Sequence, residues 1–229
     1  MRVYSSMRYG RGLSPAIQLI SLIFWTIPIY GLKLPRLEAS ITVAMLHGLV
    51  AAVLMAQSPP MPDAVCIDLQ GKSVVPLART SPPAKATVLI FYILHCPISR
   101  KYTPEINRIF SDYSKKGVRF FLIHEDLEMS REEVAKEAKE FGLLPPILVD
   151  KWRTQMRRTG ATMSPEAAVY DSNQRLRYLG RIDDRWITLG NQKPGPTTHD
   201  LRSAIDLALS GRPSIVRKTA AIGCVLPKD

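Results

Sequence analysis

The chain has 229 residues, 46% of them apolar and 22% charged, which excludes a disordered or fibrous polymer and suits one globular domain with additional segments. The net charge is +11, but the basic residues are scattered (Arg153, Arg157, Arg175 and Arg185 among them) without an aromatic-interleaved basic motif, so a nucleic-acid partner is not expected. The cysteines, Cys66, Cys96 and Cys224, are too few for a disulfide scaffold and fit no zinc spacing, and no cofactor or metal is implied.

The first segment does not read as part of a fold. Arg2, Arg8 and Arg11 precede Leu13 to Leu32, about 20 mostly apolar residues without a charge, and Lys33 and Arg36 separate these from a second apolar stretch, Ala39 to Ala56. One reading is a membrane anchor, in the form of a helical hairpin. The other is a secretory signal whose apolar core is the second stretch, with translation starting downstream of Met1. Small residues at alternate positions should precede the cut; Ala56 fits and Leu54 does not. Residues 1–57 are therefore expected to be a signal peptide or membrane anchor plus the start of a linker. Residues 58–229 form the domain, held outside the cytoplasm and associated with a membrane if the anchor is retained. A cytosolic protein would have to pack both apolar runs in a core.

Ser58-Pro59-Pro60-Met61-Pro62 reads as an extended linker. Val65 to Leu77 predicts two short strands about a Gln70-Gly71 turn, with Cys66 a packing residue in the first. Ala86 to Leu94 is an unbroken run of branched and aromatic residues, as in a strand buried on both faces. It stops at His95-Cys96-Pro97. Proline suits the first turn of a helix, and Ile98, Tyr102, Ile106, Ile109, Phe110 and Tyr113 recur beyond it at helical spacing. Cys96 is thus placed between a strand and a helix N-terminus. Free amides and the positive end of the helix dipole favour an anion there, so its thiol pKa should be lowered and its nucleophilic form enriched. The alternative is an inert, buried cysteine.

A second buried strand covers Gly117 to His124, with Glu125-Asp126 at its end. Ser130 and Glu133 form a capping box for a helix carrying Val134, Ala138 and Phe141 and ended by Gly142. Ile147 to Asp150 predicts a short strand and Lys151 to Thr159 a short helix. Ser164-Pro165 precedes another strand, where a proline suits a strand start or a cis turn. Ser172-Asn173-Gln174 turns the chain into a returning strand, Arg175 to Ile182. Asp183-Asp184-Arg185, expected to be ion-paired locally, and Gly190 to Thr197 read as loop. Asp200 to Leu209 is a last amphipathic helix with Thr198 as its cap, and the tail contains Gly223-Cys224. This order implies an α/β fold, a mixed β-sheet with helices on both faces.

That order, with His95-Cys96-Pro97-Ile98-Ser99, Gly160-Ala161-Thr162-Met163-Ser164-Pro165-Glu166-Ala167 and Gly180-Arg181-Ile182-Asp183-Asp184-Arg185, resembles the thioredoxin superfamily, in particular extracytoplasmic redoxins of the AhpC/TSA type. The resemblance covers about residues 60–211 and extends to the tail cysteine. It implies a thioredoxin-like mixed sheet flanked by helices. Cys96 matches the attacking cysteine and Pro165 the cis-proline, so His95, Pro97, Ser164 and Pro165 are the implied substrate-binding residues. The chain departs from the family in two places. Ser99 stands where thioredoxins carry the second cysteine of C-x-x-C, so a mixed disulfide at Cys96 lacks the usual local release. Ile93 stands where peroxiredoxins carry a threonine. One of the two cysteines used by copper-chaperone relatives is also missing.

The resolving role falls to Cys224, on a tail able to fold back, or to Cys66; a free tail cysteine is the alternative for Cys224. His95 either supports the thiolate or shapes the site. Arg100 reads as solvent-facing, with thiolate support as its alternative, and His124 is a further candidate. The implied activity is thiol-disulfide exchange with a thiol or disulfide protein. The alternatives are an antioxidant, peroxiredoxin-like activity on peroxide and a non-catalytic binding module holding a partner or metal.

Overall fold

The computed structural model describes residues 65–212 and 216–227. The expected signal or anchor and the Ser58–Pro62 linker lie outside the described residues. Among those described, no helix is long and apolar enough to cross a membrane.

In chain order the elements are β1 (Cys66–Asp68), β2 (Ser73–Val74), β3 (Ala86–Phe91), α1 (Pro97–Ser114), β4 (Val118–His124), α2 (Arg131–Glu140), β5 (Ile147–Val149) and α3 (Thr154–Thr159). They continue with β6 (Met163–Ser164), β7 (Glu166–Asp171), β8 (Leu176–Gly180), β9 (Trp186–Thr188), β10 (Asn191–Gln192), α4 (Asp200–Leu209), β11 (Arg217–Lys218) and β12 (Cys224–Val225). The main sheet has the order β11-β8-β7-β3-β4-β5-β1-β2. β3 lies near its middle, parallel to β4 and antiparallel to β7. All of β3 is buried, as its apolar run requires.

Alternation along β3 feeds two cores. Val88 and Ile90 pack with Ile106 and Ile109 of α1, Val134 of α2 and Leu201 and Ile205 of α4. Leu89 and Phe91 face the other way, toward Cys66, Phe121, Ile123 and Leu148. Burying these four β3 side chains contributes on the order of 10 kcal/mol before the entropy of ordering is subtracted. The expectation of helices on both faces is only partly met. α1, α2 and α4 share one face, while the other is covered by the short α3, through Met156, and by Leu77 and Leu226.

The capping box forms as expected, with the Ser130 hydroxyl accepting from the Glu133 N–H. Gly142, at φ +63°, ends α2 with its N–H on the Lys139 carbonyl. α3 starts at Thr154 rather than Lys151, because the Asp150 carboxylate accepts the Thr154 and Gln155 amides at 2.9 and 2.6 Å and so sets the first turn. Thr198 is not the cap of α4. His199 holds that position, and the Thr198 hydroxyl donates to Asp200 instead. Part of the expected 190–197 loop pairs as the β9–β10 hairpin. The tail is ordered by β11, which runs parallel to β8. Gly180 has no room for a side chain, because Thr219 lies where a Cβ would sit.

Candidate active site

β3 delivers the chain to Cys96, which occupies the N-cap of α1 with extended backbone, φ −74° and ψ 116°, and Pro97 takes the first helical position. No side chain caps this helix and no acidic residue lies in its first turn, so the positive end of its dipole is left to the cysteine. The Arg100 N–H closes the first turn on the Cys96 carbonyl at 3.0 Å.

Opposite stands the loop before β7. The Ser164–Pro165 bond is cis, and the Ser164 carbonyl oxygen lies 3.2 Å from Cys96 Sγ. The Ser164 hydroxyl accepts the Ile93 N–H at 2.7 Å and lies 2.9 Å from the Ser99 hydroxyl. Ser99, fully buried in the position of the missing second cysteine, therefore ties α1 to the proline loop. Glu166 holds the same loop from beneath, accepting the Thr162 and Met163 amides at 2.7 and 3.1 Å. Sequence reasoning passed over this carboxylate. Its signal was a charged residue immediately after Pro165, at the start of an apolar strand.

Cys224 is brought to this point by the tail and is disulfide-bonded to Cys96 across a sequence separation of 128, with Cα atoms 6.0 Å apart. Cys66 is not brought there. It is a buried free thiol in the core on the opposite sheet face. Burial first, then the neighbouring Asp150 and Glu125 carboxyls, push its pKa up, so it is held as an inert thiol.

His95 is half exposed, and its ring faces carboxylates: Nε2 lies 3.1 Å from Glu137 and Nδ1 3.8 Å from Asp126. Arg100 is not simply solvent-facing. Its Nε donates to the Leu94 carbonyl at 2.7 Å and its guanidinium lies 4.2 Å over the Phe141 ring, clamping the turn that carries Cys96. His124 is buried with Nδ1 3.3 Å from the Tyr92 carbonyl, and burial lowers its pKa, so it is a neutral ring. The Asp183-Asp184-Arg185 loop is tied to groups outside itself. The Tyr102 hydroxyl donates to Asp183, and Asp184 binds the Lys193 ammonium and the Thr197 and Thr198 amides. The Lys193 bond leads the contacts that lower the Asp184 pKa.

Beside Cys66, burial and the adjacent Asp150 charge push the Glu125 carboxyl up to about 9, so it is protonated at neutral pH. An unfolded glutamate titrates near about 4.3, so the native state retains a proton that the unfolded chain releases between these values. The contribution is fully present below the unfolded value and is lost as pH rises toward the folded one. Glu125→Gln should therefore leave stability little changed at pH 4 and raise it by on the order of 5 kcal/mol at pH 8. Denaturant melts at both pH values check this, and an equal difference at the two would refute it.

A mixed sheet whose central strand ends on a cysteine at a helix N-terminus, faced by a cis-proline loop, is a thioredoxin-like fold, and in this the chain is similar to redoxin-type proteins. The thiol-disulfide oxidoreductase ResA of Geobacillus thermodenitrificans (strain NG80-2) is 25% identical to it over 118 residues, which are 52% of this chain and 65% of ResA. The chain thus matches just under two thirds of that relative's length. It also superposes, with a TM-score of 0.60 and 27% identity, on an uncharacterized conserved protein from Geobacillus kaustophilus, over 73% of this chain and 89% of that one. The same TM-score and identity relate it to a hypothetical protein from Sinorhizobium meliloti 1021, over 72% of this chain and 90% of that one. No family model matches the chain.

Proposed function

We propose that this protein is a thiol-disulfide oxidoreductase that works through Cys96, with Cys224 as a remote resolving thiol. The observation that carries the reading is the Cys96–Cys224 disulfide, set at a helix N-terminus against the cis-proline loop. The likeness to ResA supports the same chemistry.

In the reducing direction the Cys96 thiolate attacks one sulfur of a partner disulfide. A Cys96–partner bond forms, the partner's S–S bond breaks, and its other sulfur leaves as a thiolate. Cys224, as thiolate, then attacks Cys96 Sγ and displaces the remaining partner sulfur. The partner gains two electrons and the protein is left with its Cys96–Cys224 disulfide; a dithiol reductant returns it to the start. The steps run equally in reverse. The Ser164 carbonyl oxygen borders the sulfur, which supports Ser164 and Pro165 as substrate-facing residues, and His95 and Pro97 flank Cys96 along the chain. The apolar stretches within residues 1–57 support an anchored or exported protein whose domain works outside the cytoplasm, in a periplasm or its equivalent.

The test is thiol mapping by mass spectrometry on the reduced full-length chain after separate challenge with a small disulfide and with hydrogen peroxide. The Cys96–Cys224 bond should form faster with the disulfide while Cys66 stays reduced. Faster closure with peroxide would favour a peroxiredoxin. A Cys96 thiol inert to both would leave a binding module.

A further inference from the structure

The turn from β5 into α3 concentrates cations that look scattered along the sequence. Residues 150–160 hold Lys151, Arg153, Arg157 and Arg158 against a single acidic residue, Asp150. Asp150 is fully buried and accepts the Thr154, Gln155 and Met156 amides, so its charge faces inward. Arg153 and Arg157 also face Glu125, which is fully buried and protonated at neutral pH. Neither carboxyl adds negative charge to the surface beside them. Trp152 stands out of this turn, 50% exposed. The Lys151 ammonium lies 5.8 Å from the centre of its ring, and the Arg157 guanidinium donates to its carbonyl oxygen. Lys151 and Arg157 are exposed, and Arg153 and Arg158 partly so. The inner side of the turn is committed to the domain, since Gln155 and Thr159 are buried and Met156 packs on the second core. An exposed indole ringed by cations suits the headgroup layer of a bilayer, where the ring lies at the apolar boundary and the cations meet lipid phosphates.

We propose that the β5–α3 turn, Trp152 with Lys151, Arg153, Arg157 and Arg158, is a peripheral membrane-contact surface that takes anionic phospholipid headgroups. Where the chain enters the domain favours a lipid surface over an acidic protein. β1 runs antiparallel to β5 with Ile67 opposite Val149, so the start of the domain lies beside the strand end from which Lys151 and Trp152 follow. Cys66, at that start, shares its surroundings with Asp150 and Gln155. Fully extended, residues 58–65 reach at most about 30 Å, so an anchor within residues 1–57 keeps the bilayer close to this end of the domain. The inference rests on the proposed anchor for this nearness, and on the turn's own residues for its chemistry. Tether and patch at one end give the domain two points of contact, which fix its orientation on the membrane.

The test uses the full-length chain carrying Trp25→Phe, which leaves Trp152 and the nearly buried Trp186 as its indoles. The same chain with Trp152→Phe supplies the Trp186 background to subtract. Each is mixed with vesicles of phosphatidylcholine, or of equal parts phosphatidylcholine and phosphatidylglycerol, brominated on the acyl chains near the headgroups. Trp152 emission should shift to shorter wavelength and be quenched at least about threefold more on the anionic vesicles than on the neutral ones. Salt at about 1 M, which shortens the screening length to about 3 Å, should remove the difference. Lys151→Glu with Arg158→Glu should cut the quenching by at least about threefold and leave the reaction of Cys96 with a small disulfide unchanged, which reports an intact fold. Lys151→Glu alone, fully at the surface, should act in the same direction. Equal quenching on both kinds of vesicle would overturn the surface, as would none on anionic vesicles with which the chain sediments. Shielding of Trp152 by soluble polyglutamate but not by vesicles would overturn it in favour of an acidic protein. Sedimentation with the anionic vesicles alone, with Trp152 quenched, would keep the surface and remove the anchor. Sedimentation with neither would remove both.

Discussion

Cys96→Ser is expected to abolish disulfide exchange, lowering its rate by at least about three orders of magnitude, while the domain still folds. The serine hydroxyl is not ionised near neutral pH and forms no disulfide, so the attacking step has no substitute atom. Neither remaining cysteine takes over. Cys66 is buried in the opposite core with its thiol pKa pushed up, and Cys224 sits on a strand, without a helix terminus behind it. Cys96 is nearly sealed from solvent, and serine is close to it in size, so the packing around position 96 should survive. The measurement is reduction of a small disulfide, alongside circular dichroism to confirm the fold. Activity above about a tenth of the unmodified chain in a folded Cys96→Ser protein would defeat the mechanism, since so small a loss is about 1.4 kcal/mol of barrier.

The second large effect concerns stability. Opening the Cys96–Cys224 bond, by reduction or by Cys224→Ser, should destabilise the domain by about 2–4 kcal/mol and lower its melting temperature by roughly 5–15 °C. The bond closes a loop with a sequence separation of 128, long enough that chain entropy alone would place the effect near the top of the usual range. Two other ties make the loss smaller. β11 remains paired with β8, and Leu226 remains in the second core, so the reduced tail is not a free chain. By linkage, whatever the bond adds to folding, folding adds to the bond, so the native domain favours its oxidised form over what an unfolded chain would reach. Urea melts of the oxidised and reduced forms measure the difference directly. Coincident midpoints would mean that the tail is held by its non-covalent contacts alone. Cys66→Ser should leave this difference unchanged.

Much of this site was legible along the chain because it is built from local signals. An apolar run ending in Cys96-Pro97 announces a buried strand, a sharp stop and a helix start within a dozen residues. Ser130 and Glu133 announce the next helix in the same way, and Ser164-Pro165 marks a break before a strand. Each of these depends on neighbours a few positions away, where backbone propensity and capping chemistry act. The assignments that shifted were those in which one side chain had several possible partners, near and far, and the fold chose among them. Thr198 has the chemistry of a cap but is drawn to Asp200, whose carboxylate also receives Arg181 and Arg217. Arg100 is exposed, as expected, but the fold also sets its guanidinium on the Leu94 carbonyl and over the Phe141 ring.

The sequence by itself determined the α/β class of fold, the position of Cys96 at a strand-helix junction and the break at Ser164-Pro165, because each is written in local signals; that this bond is cis rather than an ordinary strand start was left open by the residues and is decided by the structure. Only the tertiary structure decided which cysteine meets Cys96. Cys66 and Cys224 are both distant from it along the chain, and no local rule separates them. The separation comes from the sheet. β1 places Cys66 on the face away from α1, while pairing of β12 with β6 and burial of Leu226 draw Cys224 to within 6.0 Å, Cα to Cα, of its partner. The role of Gly223 was hidden for the same reason: a missing side chain has meaning only once the Ser164 backbone that fills its space is known.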